Sequence, residues 1–340
     1  MIRKLEKNMR QSILNMIVFF ANIKSGKFDR MKKVFIDGRA GTTGLRIYER
    51  LSNRAGIELL TLSDEDRKDT DKRRIMLNNC DIAFLCLPDD AARESVSLIE
   101  NPDVAVLDTS TAHRTLDGWA YGFPELDAAL ADKVRSAKRI AVPGCHASGF
   151  IALVRPLIAA GLLAPDVRLT CHSITGYSGG GKKMIAEYEA GDRPVLLDAP
   201  RQYGITQQHK HLKEMVKITG VTTAPVFCPI VSDFYSGMEV TVPVFREDLK
   251  NGAGAADIRS IYRDLYQGPI VTYAEDASEG GLFAANAFSG KDTMQITVEG
   301  NEDRILLIAR YDNLGKGASG AAVECMNLVM GADPTEGLAI

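Results

Sequence analysis

Apolar and polar positions in the first half of the chain follow two different periods. Short strand-like apolar runs cover residues 33–37, 57–62, 81–87, 104–108 and 139–142. Amphipathic stretches with a helical period lie between them, at residues 45–51, 72–78 and 91–99. Strands that alternate with helices are typical of a parallel sheet with both faces covered. The pattern predicts a doubly wound, Rossmann-type α/β domain over residues 31–146.

The pattern changes beyond residue 146. A helix is expected from about Ala147 to Ala160, followed by longer β-rich stretches at residues 167–175, 225–233, 237–244, 293–299 and 304–311. These stretches predict an α+β domain with a mixed or antiparallel sheet over residues 147–313. A helical apolar period over residues 316–330 predicts that residues 314–340 form a C-terminal helix returning to the first domain.

The first thirty residues differ from the rest of the chain. Basic residues precede an apolar run at residues 13–23, as in an export signal. The run is shorter than the roughly 20 apolar residues that span a bilayer, and Asn15 and Asn22 interrupt it. No small-residue cleavage site follows, and Met31 opens a strand. Residues 1–30 are therefore expected to be an extended start or a flexible tail, and the protein to be cytoplasmic.

Composition excludes several classes of protein. A chain of 340 residues suits two domains, and 41 Lys and Arg against 44 Asp and Glu leave a net charge of -3. That balance predicts neither a nucleic-acid partner nor a membrane partner. The six cysteines lack the spacing of a zinc site, so no metal is expected. A chain of this size folds without disulfides, which favours reduced thiols in the cytoplasm.

A glycine-rich turn follows the first predicted strand. It contains Gly38, Gly41 and Gly44 together with Thr42 and Thr43. Glycines there let the backbone approach the phosphates of a nucleotide at a helix N-terminus. The spacing G-x-x-G-x-x-G differs from the usual dinucleotide fingerprint, and a tight turn without a ligand is the alternative. We expect this turn to bind a dinucleotide cofactor.

The end of the second strand is the place where such a domain contacts the adenosine ribose. An acidic residue there favours NAD, whereas Ser63 with Arg67 or Lys68 can hold the 2′-phosphate of NADP. Both kinds of residue are present between Ser63 and Lys68. These residues alone leave the choice between NAD and NADP open.

Cys145 is the candidate nucleophile. It follows Pro143 and Gly144 in V-P-G-C-H-A-S-G, so the thiol is expected on a sharp turn directly before a helix. The positive end of that helix favours the thiolate, which predicts a pKa below the usual value of about 8.5. The other five cysteines fit the inert core role that most cysteines have.

A thiolate nucleophile needs an acid–base partner, and the chain has five histidines. His209 and His211 lie in a polar stretch, where an extended or loop backbone places residues two apart on one face. Which of the two is the acid–base group is left open. His146 follows the cysteine directly and is expected to point elsewhere if the backbone is extended there.

Two further segments carry candidate anion-binding residues. The loop G-Y-S-G-G-G-K-K at residues 176–183 nearly matches a phosphate loop, but Lys183 stands where a hydroxyl would coordinate magnesium, which argues against a nucleotide triphosphatase. The loop still suits close approach to a cofactor or an anionic substrate, with a plain flexible turn as the alternative. Arg114 follows the fourth strand, at the edge where α/β sheets bind ligands, and can clamp a phosphate or carboxylate.

Together these segments resemble the N-acetyl-gamma-glutamyl-phosphate reductases of the semialdehyde dehydrogenase group, in the shorter of that family's two types. The resemblance covers residues 32–331. It rests on D-G-x-x-G-T-T-G at 37–44, Y-G-F-P-E-L at 121–126, P-G-C-H-A-S-G-F at 143–150, S-I-T-G-Y-S-G-G-G-K-K at 173–183, H-K-H at 209–211 and D-N-L-G-K-G-A-S-G-A-A-V at 312–323. The first thirty residues have no counterpart in the family.

The resemblance implies NADPH-dependent reduction of N-acetyl-L-glutamyl 5-phosphate to N-acetyl-L-glutamate 5-semialdehyde, with release of phosphate, in arginine biosynthesis. It implies that Cys145 is the nucleophile and that the histidines of H-K-H are the acid–base pair. It also implies that Asn313 lies near the nicotinamide and that Arg114, Ser178 and Lys182 bind substrate anions. The β-rich second domain would suit a homodimer or homotetramer.

Two other functions are weighed against this one. The first is a related semialdehyde dehydrogenase that acts on aspartyl phosphate or on a carrier-linked acyl phosphate, from which only the substrate pocket would distinguish it. The second is a noncatalytic NADP-binding regulator, which would need neither Cys145 nor the histidine pair.

Overall fold

The computed structural model describes residues 31–340, which form two sheets with their helices. The expectation for residues 1–30 lies outside the described residues. Each sheet is the centre of one of the two predicted α/β and α+β domains, and the predicted fold class is confirmed. No helix within residues 31–340 combines the length and apolar character needed to cross a membrane.

The first sheet has six strands, all parallel, in the order β2-β1-β3-β4-β6-β5. The strands are β1 Lys32–Asp37, β2 Ile57–Leu60, β3 Ile82–Leu85, β4 Ala105–Asp108, β5 Ala120–Tyr121 and β6 Arg139–Ala141. The chain moves from β1 to β2 on one side and continues with β3 on the other. This reversal opens a crevice at the carboxyl ends of β1 and β3, where ligands of such sheets bind.

Helices cover both faces of this sheet. All four residues of β3 are buried, and because successive side chains point to opposite faces, both faces need a covering layer. These helices are α1 Thr42–Leu51, α2 Thr70–Asn79, α3 Asp89–Ser97 and α4 Ala128–Ser136. The last helix of the chain, α9 Gly320–Met330, packs against the same sheet, where Ala321, Ala322 and Val323 share a buried cluster with Val34 and Phe84. Small residues at the start of α9 allow this close approach of helix and sheet.

The second sheet has seven strands in the order β11-β12-β13-β10-β7-β9-β8. They are β7 Thr170–Gly176, β8 Arg201–Gln202, β9 Val226–Ser232, β10 Met238–Phe245, β11 Val271–Tyr273, β12 Met294–Gly300 and β13 Arg304–Tyr311. The sheet is mixed, because β7 pairs with β9 in parallel and with β10 antiparallel. The five β-rich stretches predicted for this domain correspond to β7, β9, β10, β12 and β13.

One face of the second sheet is packed against helices. Helices α5 Cys145–Ala159 and α8 Ala255–Leu265 pack on the sheet, α7 His211–Thr219 packs against α5, and α6 Gly181–Glu189 follows β7. Alternate residues of β10, such as Val240 and Val242, join Phe150 and Leu153 of α5 in the largest core cluster. Helix α5 is buried along most of its length, so its packing fixes the position of its first residue.

Candidate active site

The glycine-rich turn lies at the crevice of the first sheet. Gly38 has a φ of +88°, and a Cβ there would collide with the carbonyl of Cys86 on the neighbouring strand end. A Cβ on Gly44 would lie 2.6 Å from the carbonyl oxygen of Gly38. Gly41 caps α1, and Thr42 and Thr43 begin it. The turn therefore needs its glycines to bring the N-terminus of α1 against the sheet.

A groove with a volume of about 680 Å³ runs beside this turn. Apolar walls from Leu60 and Leu62 flank it, and the charged residues that line it are Asp37, Arg39, Asp64, Arg67, Lys68, Arg73 and Lys182. Ser63 is not among the lining residues, because its exposed side chain accepts a hydrogen bond from the Asp66 N–H at 3.2 Å. Its neighbour Asp64 lines the groove, and the contact of Ser63 with the cofactor stays a prediction.

The groove and the turn fit a dinucleotide. The hydroxyl of Thr42 is buried at the start of α1 without a hydrogen-bond partner within residues 31–340, which leaves it free for a phosphate oxygen. The first N–H groups of a helix also have no partners inside the helix and favour an anion there. The apolar walls suit an adenine, and the basic side chains suit further phosphate.

A second cavity, of about 620 Å³, surrounds Cys145. A smaller cavity of about 410 Å³ shares Thr43, Thr109, Lys210 and Leu314 with it and reaches Gly41 and Thr42 of the glycine turn. Leu87 lines both this smaller cavity and the cofactor groove, so the three cavities adjoin one another along a path from the groove to the thiol. A dinucleotide bound along this path would bring its distal end to Cys145.

Cys145 is the first residue of α5, two residues earlier than the predicted start of this helix. Gly144 caps the helix in an extended conformation, and a Cβ on Gly144 would clash with Arg114 and lie 2.6 Å from His211 Nε2. The hydroxyl of Tyr311 donates to the Cys145 carbonyl at 2.5 Å and accepts from the Gly149 N–H at 3.0 Å. Sterics and hydrogen bonds thus hold the half-buried thiol at one position.

His209 and His211 lie together beside this turn, with ring centroids 4.8 Å apart. His211 is the first residue of α7 and His209 precedes the helix, so the two share a face as predicted. The backbone N–H of His211 donates to His209 Nδ1 at 3.2 Å. Because Nδ1 of His209 accepts, the ring proton of neutral His209 is on Nε2.

His146 also points toward this pair, with ring centroids 5.8 Å from His209 and 5.7 Å from His211. The expectation that it points elsewhere applies to an extended backbone, and the backbone at residue 146 is already helical. Its Nδ1 is 2.6 Å from Ser173 Oγ and its Nε2 is 2.5 Å from the Tyr203 hydroxyl. Both ring nitrogens are therefore engaged by protein groups, which gives His146 an orienting role.

Burial dominates the ionisation of these groups. Burial raises the pKa of the Cys145 thiol, while the positive charge of Arg114 acts in the opposite direction. The predicted depression of this pKa is therefore wrong: loss of solvation outweighs the helix terminus and the nearby cations. Burial also lowers the pKa of His209, and lowers that of His211 well below 6.5 with a further contribution from Arg114. The site thus pairs a protonated thiol with neutral imidazoles.

The ionisation of His146 is predicted to oppose folding in acid. Burial lowers its pKa to about 3 from 6.5, so below pH 6.5 the unfolded chain binds more protons than the folded chain. The contribution of neutral His146 to the free energy of unfolding is intact above pH 6.5 and is lost as the pH falls toward 3. Between pH 6.5 and pH 5 this loss lowers the free energy of unfolding by about 2 kcal/mol. Urea unfolding across this pH range measures the decline in the free energy of unfolding, and the decline should be smaller in His146→Gln. An equally steep decline in His146→Gln would refute the assignment, and His172→Gln, at an exposed position, is the control.

A buried carboxylate that the sequence did not single out holds the site together. Glu214 lies on α7 one turn after His211 and is 2 % exposed. Its Oε1 accepts from the Gly144 N–H at 2.8 Å and from the Tyr121 hydroxyl at 2.7 Å. Its Oε2 accepts from Arg114 Nη1 at 3.0 Å. Glu214 therefore joins the histidine helix to the turn that presents the thiol.

Arg114 is buried within this network. Its Nε donates to the Val142 carbonyl and its Nη2 to the Thr109 carbonyl, both at 2.8 Å. It lines the cavity of Cys145, as expected of a substrate-binding residue, but most of its donors serve the protein. The structure brings two further cations to this cavity, Arg201 and Lys210. The Nε of Arg201 is buried without a hydrogen-bond partner among the described residues.

The other predicted site residues line different cavities along the path. Asn313 lines the cavity of Cys145, where its Oδ1 accepts from the Gly237 N–H at 2.9 Å and its Nδ2 donates to Ser178 Oγ at 3.1 Å. Ser178 lines the smaller cavity between the glycine turn and the thiol. Lys182 does not reach the thiol's cavity and lines the cofactor groove instead. Its expected role in binding substrate is therefore not supported by its position.

Two family models match the chain and divide it as its sheets do. The model described as semialdehyde dehydrogenase, NAD binding domain, matches residues 33–134. The model described as semialdehyde dehydrogenase, dimerisation domain, matches residues 145–313, beginning at the cysteine of the site. Within residues 31–340, no group of three or more His, Cys, Asp or Glu side chains is placed to hold a metal ion.

Curated relatives match almost the whole chain. It is 44% identical over 318 residues to N-acetyl-gamma-glutamyl-phosphate reductase 2 of Nostoc sp., covering 90% of this chain and 99% of the relative. It is 45% identical over 305 residues to N-acetyl-gamma-glutamyl-phosphate reductase of Rhizobium etli, covering 88% of this chain and 98% of the relative.

Solved structures of the same fold are more distant in sequence. Aspartate semialdehyde dehydrogenase II from Vibrio cholerae, complexed with ASA, matches with a TM-score of 0.67 at 16% identity, covering 89% of this chain and 99% of that chain. Aspartate semialdehyde dehydrogenase with NADP from Candida albicans matches with a TM-score of 0.63 at 14% identity, covering the same shares. At these identities the likeness shows the fold alone.

Proposed function

This chain belongs to the N-acetyl-gamma-glutamyl-phosphate reductases of the semialdehyde dehydrogenase family, and on that premise we propose that it reduces N-acetyl-L-glutamyl 5-phosphate with NADPH. The products are N-acetyl-L-glutamate 5-semialdehyde and phosphate, a step of arginine biosynthesis. The observation that carries the proposal is the position of Cys145 beside His209 and His211 at the end of the path from the glycine turn. Reduced thiols at all six cysteines suit a cytoplasmic enzyme.

In the first half of the reaction, the thiol of Cys145 transfers its proton to a neutral histidine as the sulfur attacks the acyl carbon. The carbon–oxygen bond to phosphate breaks, and the phosphate takes the proton from the imidazolium as it leaves. The products of this half are an acyl thioester on Cys145, inorganic phosphate and a neutral histidine. Burial of the imidazoles makes this return of the proton favourable, because a charged ring is poorly solvated there.

In the second half, NADPH bound along the path would supply the hydride that reduces the thioester carbon. The tetrahedral alkoxide on Cys145 collapses to the aldehyde by expelling the thiolate, and a proton from solution restores the thiol. Asn313, held by the Gly237 N–H and bonded to Ser178, orders the wall of the cavity next to the thiol. A thioester suits this chemistry because it accepts hydride more readily than an ester.

The two histidines are proposed to act at different atoms. The Nε2 of His211 lies next to Gly144 and takes the proton of the thiol. The Nε2 of His209 carries a proton because its Nδ1 accepts from the backbone, so it donates to an oxygen of the substrate. Arg201 and Lys210 supply the positive charge for the α-carboxylate and the phosphate of the substrate.

The proposed activity is tested in the reverse direction, as phosphate-dependent reduction of NADP by the purified protein. We expect turnover with N-acetyl-L-glutamate 5-semialdehyde and little with aspartate semialdehyde when the two are compared side by side. Preference for the aspartyl compound would overturn the substrate while preserving the cysteine chemistry. Lack of turnover with both compounds would refute the proposed activity.

A homodimer or homotetramer is proposed through the uncovered face of the second sheet, the side opposite α5. Apolar side chains on this face include Ile174, Val226, Ile230, Pro243 and Leu306. Val226 is 57% exposed and Leu306 37% exposed, and Ile174 and Ile230 are neighbours across β7 and β9. Contiguous exposed apolar residues of this kind favour burial against a second copy of the chain. The match of this domain to a dimerisation model supports the same arrangement.

Replacement of Ile230 by Glu is predicted to dissociate the oligomer at micromolar concentration, because the carboxylate would have to be buried at the interface. Sedimentation equilibrium of wild type and variant measures the change, and circular dichroism checks that the variant is folded. Replacement of the exposed Leu282, in a loop outside the sheet, is the control and should leave the assembly intact. A monomeric wild type would contradict the proposal.

A further inference from the structure

The cofactor groove carries more positive than negative charge. The guanidinium of Arg39 lies over the ring of Tyr48, 4.9 Å from its centroid. Arg39, Lys68 and Lys182 line the groove and make no ion pair with the residues that the structure describes. Three cationic side chains thus line the groove without a carboxylate partner among the described residues.

The two carboxylates in the groove are already paired. Asp37 is 4% exposed and accepts from Arg73 Nη2 at 3.1 Å. Asp64 lies at the end of the second strand, where an acidic residue of an NAD-binding domain would hold the ribose 2′-hydroxyl. Its side chain is 84% exposed, and Arg67 Nη1 is 3.7 Å from its Oδ1. The balance of charge in the groove therefore favours a ribose that carries an additional anionic group over a ribose with a free 2′-hydroxyl.

Lys182 is the groove-lining residue that comes from the second domain. It is the second residue of α6, after Gly181 with a φ of +74° turns the chain toward the first domain. The neighbouring Lys183 has a side chain that is 91% exposed and faces Glu187 at 4.0 Å, outside the groove. Of the two adjacent lysines in this glycine loop, Lys182 lines the cofactor groove and Lys183 pairs with Glu187 outside it.

We propose that Lys182 reaches across the domain boundary to bind the 2′-phosphate of NADP and, together with Arg39 and Lys68, makes the groove selective for NADP over NAD. The inference rests on the proposed use of a nicotinamide dinucleotide and names the residue that selects between its two forms. A 2′-phosphate carries about 1.5–2 negative charges near neutral pH, which matches the unpaired cations around the groove.

This contact would also connect cofactor binding to the catalytic site. The glycine loop that carries Lys182 also carries Ser178, whose hydroxyl accepts from Asn313 at the cavity of Cys145. A 2′-phosphate held by Lys182 would tie this loop to the first domain. NADP would then order the loop beside the thiol, an effect that NAD cannot produce.

Equilibrium binding to full-length protein tests the inference with Lys182→Ala and its matched control Lys183→Ala. Affinities for NADP and NAD are measured by the quenching of protein fluorescence, and 2′,5′-ADP and 5′-AMP are used as probes of the phosphate alone. We expect Lys182→Ala to weaken NADP and 2′,5′-ADP by about tenfold or more while leaving NAD and 5′-AMP unchanged. Lys183→Ala should leave all four affinities unchanged, and Lys182→Arg should restore the preference for NADP.

Three outcomes would overturn the inference. The first is an unchanged ratio of NADP to NAD affinity in Lys182→Ala, and the second is an equal loss for both, which would place the lysine at the shared part of the dinucleotide. The third is an equal effect of Lys183→Ala. Turnover of wild type with N-acetyl-L-glutamate 5-semialdehyde is measured separately, so failure of the lysine's assigned role and failure of the proposed activity give different results.

Discussion

Replacement of Cys145 by serine is expected to reduce turnover by about a thousandfold or more while leaving the binding of NADP nearly unchanged. A serine hydroxyl keeps its proton far more tightly than a thiol, and the neutral histidines beside it are weak bases because of their burial. An oxygen ester would also accept hydride less readily than the thioester. The cofactor groove does not include residue 145, so the affinity for NADP should survive.

The measurements are the rate of phosphate-dependent NADP reduction, the affinity for NADP and the detection of an acyl group on residue 145 by mass spectrometry. Wild type treated with the acyl phosphate in the absence of NADPH should accumulate the thioester, and the serine variant should not. Cys228→Ser, at a half-buried strand position away from the pocket, is the control and should keep full activity. Loss of cofactor binding and of thermal stability in Cys145→Ser would instead assign the residue a structural role.

Replacement of Glu214 by glutamine is expected to lower the free energy of unfolding by about 3–5 kcal/mol. The variant leaves the buried guanidinium of Arg114 without a carboxylate, and the amide cannot accept from all three donors that Glu214 now serves. Urea unfolding measures the loss. Glu187→Gln, which removes the carboxylate of an exposed ion pair, should change stability by less than about 1 kcal/mol.

A second readout separates positioning of the thiol from a purely structural role. The carboxylate of Glu214 contributes to the raised pKa of Cys145, and Arg114 acts in the opposite direction. Removal of the negative charge should therefore shift the pH midpoint of Cys145 alkylation downward, and kcat should fall more than KM rises because the Gly144 turn loses its anchor. An unchanged alkylation midpoint together with an unchanged kcat would show that Glu214 only stabilises the fold.

Local sequence signals are sufficient to predict the fold and to single out individual residues as candidates for the chemistry. Alternation of short buried strands with amphipathic helices predicts the first sheet, because each element has to bury one face of its own side chains. The glycine turn was predicted because Gly38 and Gly44 are required by close backbone contacts within a few residues or with one neighbouring strand. Cys145 was found because its unusual turn is encoded by the adjacent Pro143 and Gly144.

Other features of the site depend on how distant parts of the chain pack together. Lys182 belongs to the second domain and lines the groove of the first, a position that no local pattern encodes. Glu214 could have been found from its spacing to His211, one helical turn away, but its partners Tyr121 and Gly144 lie 93 and 70 residues away.

Side-chain period and near neighbours along the chain are therefore enough to predict the two-domain architecture and to single out the glycine turn, Cys145 and the histidine pair as candidates. The ionisation of the site and the direction of its long side chains come from tertiary packing alone. A pKa depends on how much water every packed element excludes, and burial of Cys145 reverses the shift that its helix terminus alone predicts. The partners of Glu214 and the position of Lys182 at the cofactor groove likewise exist only after the two domains have packed together.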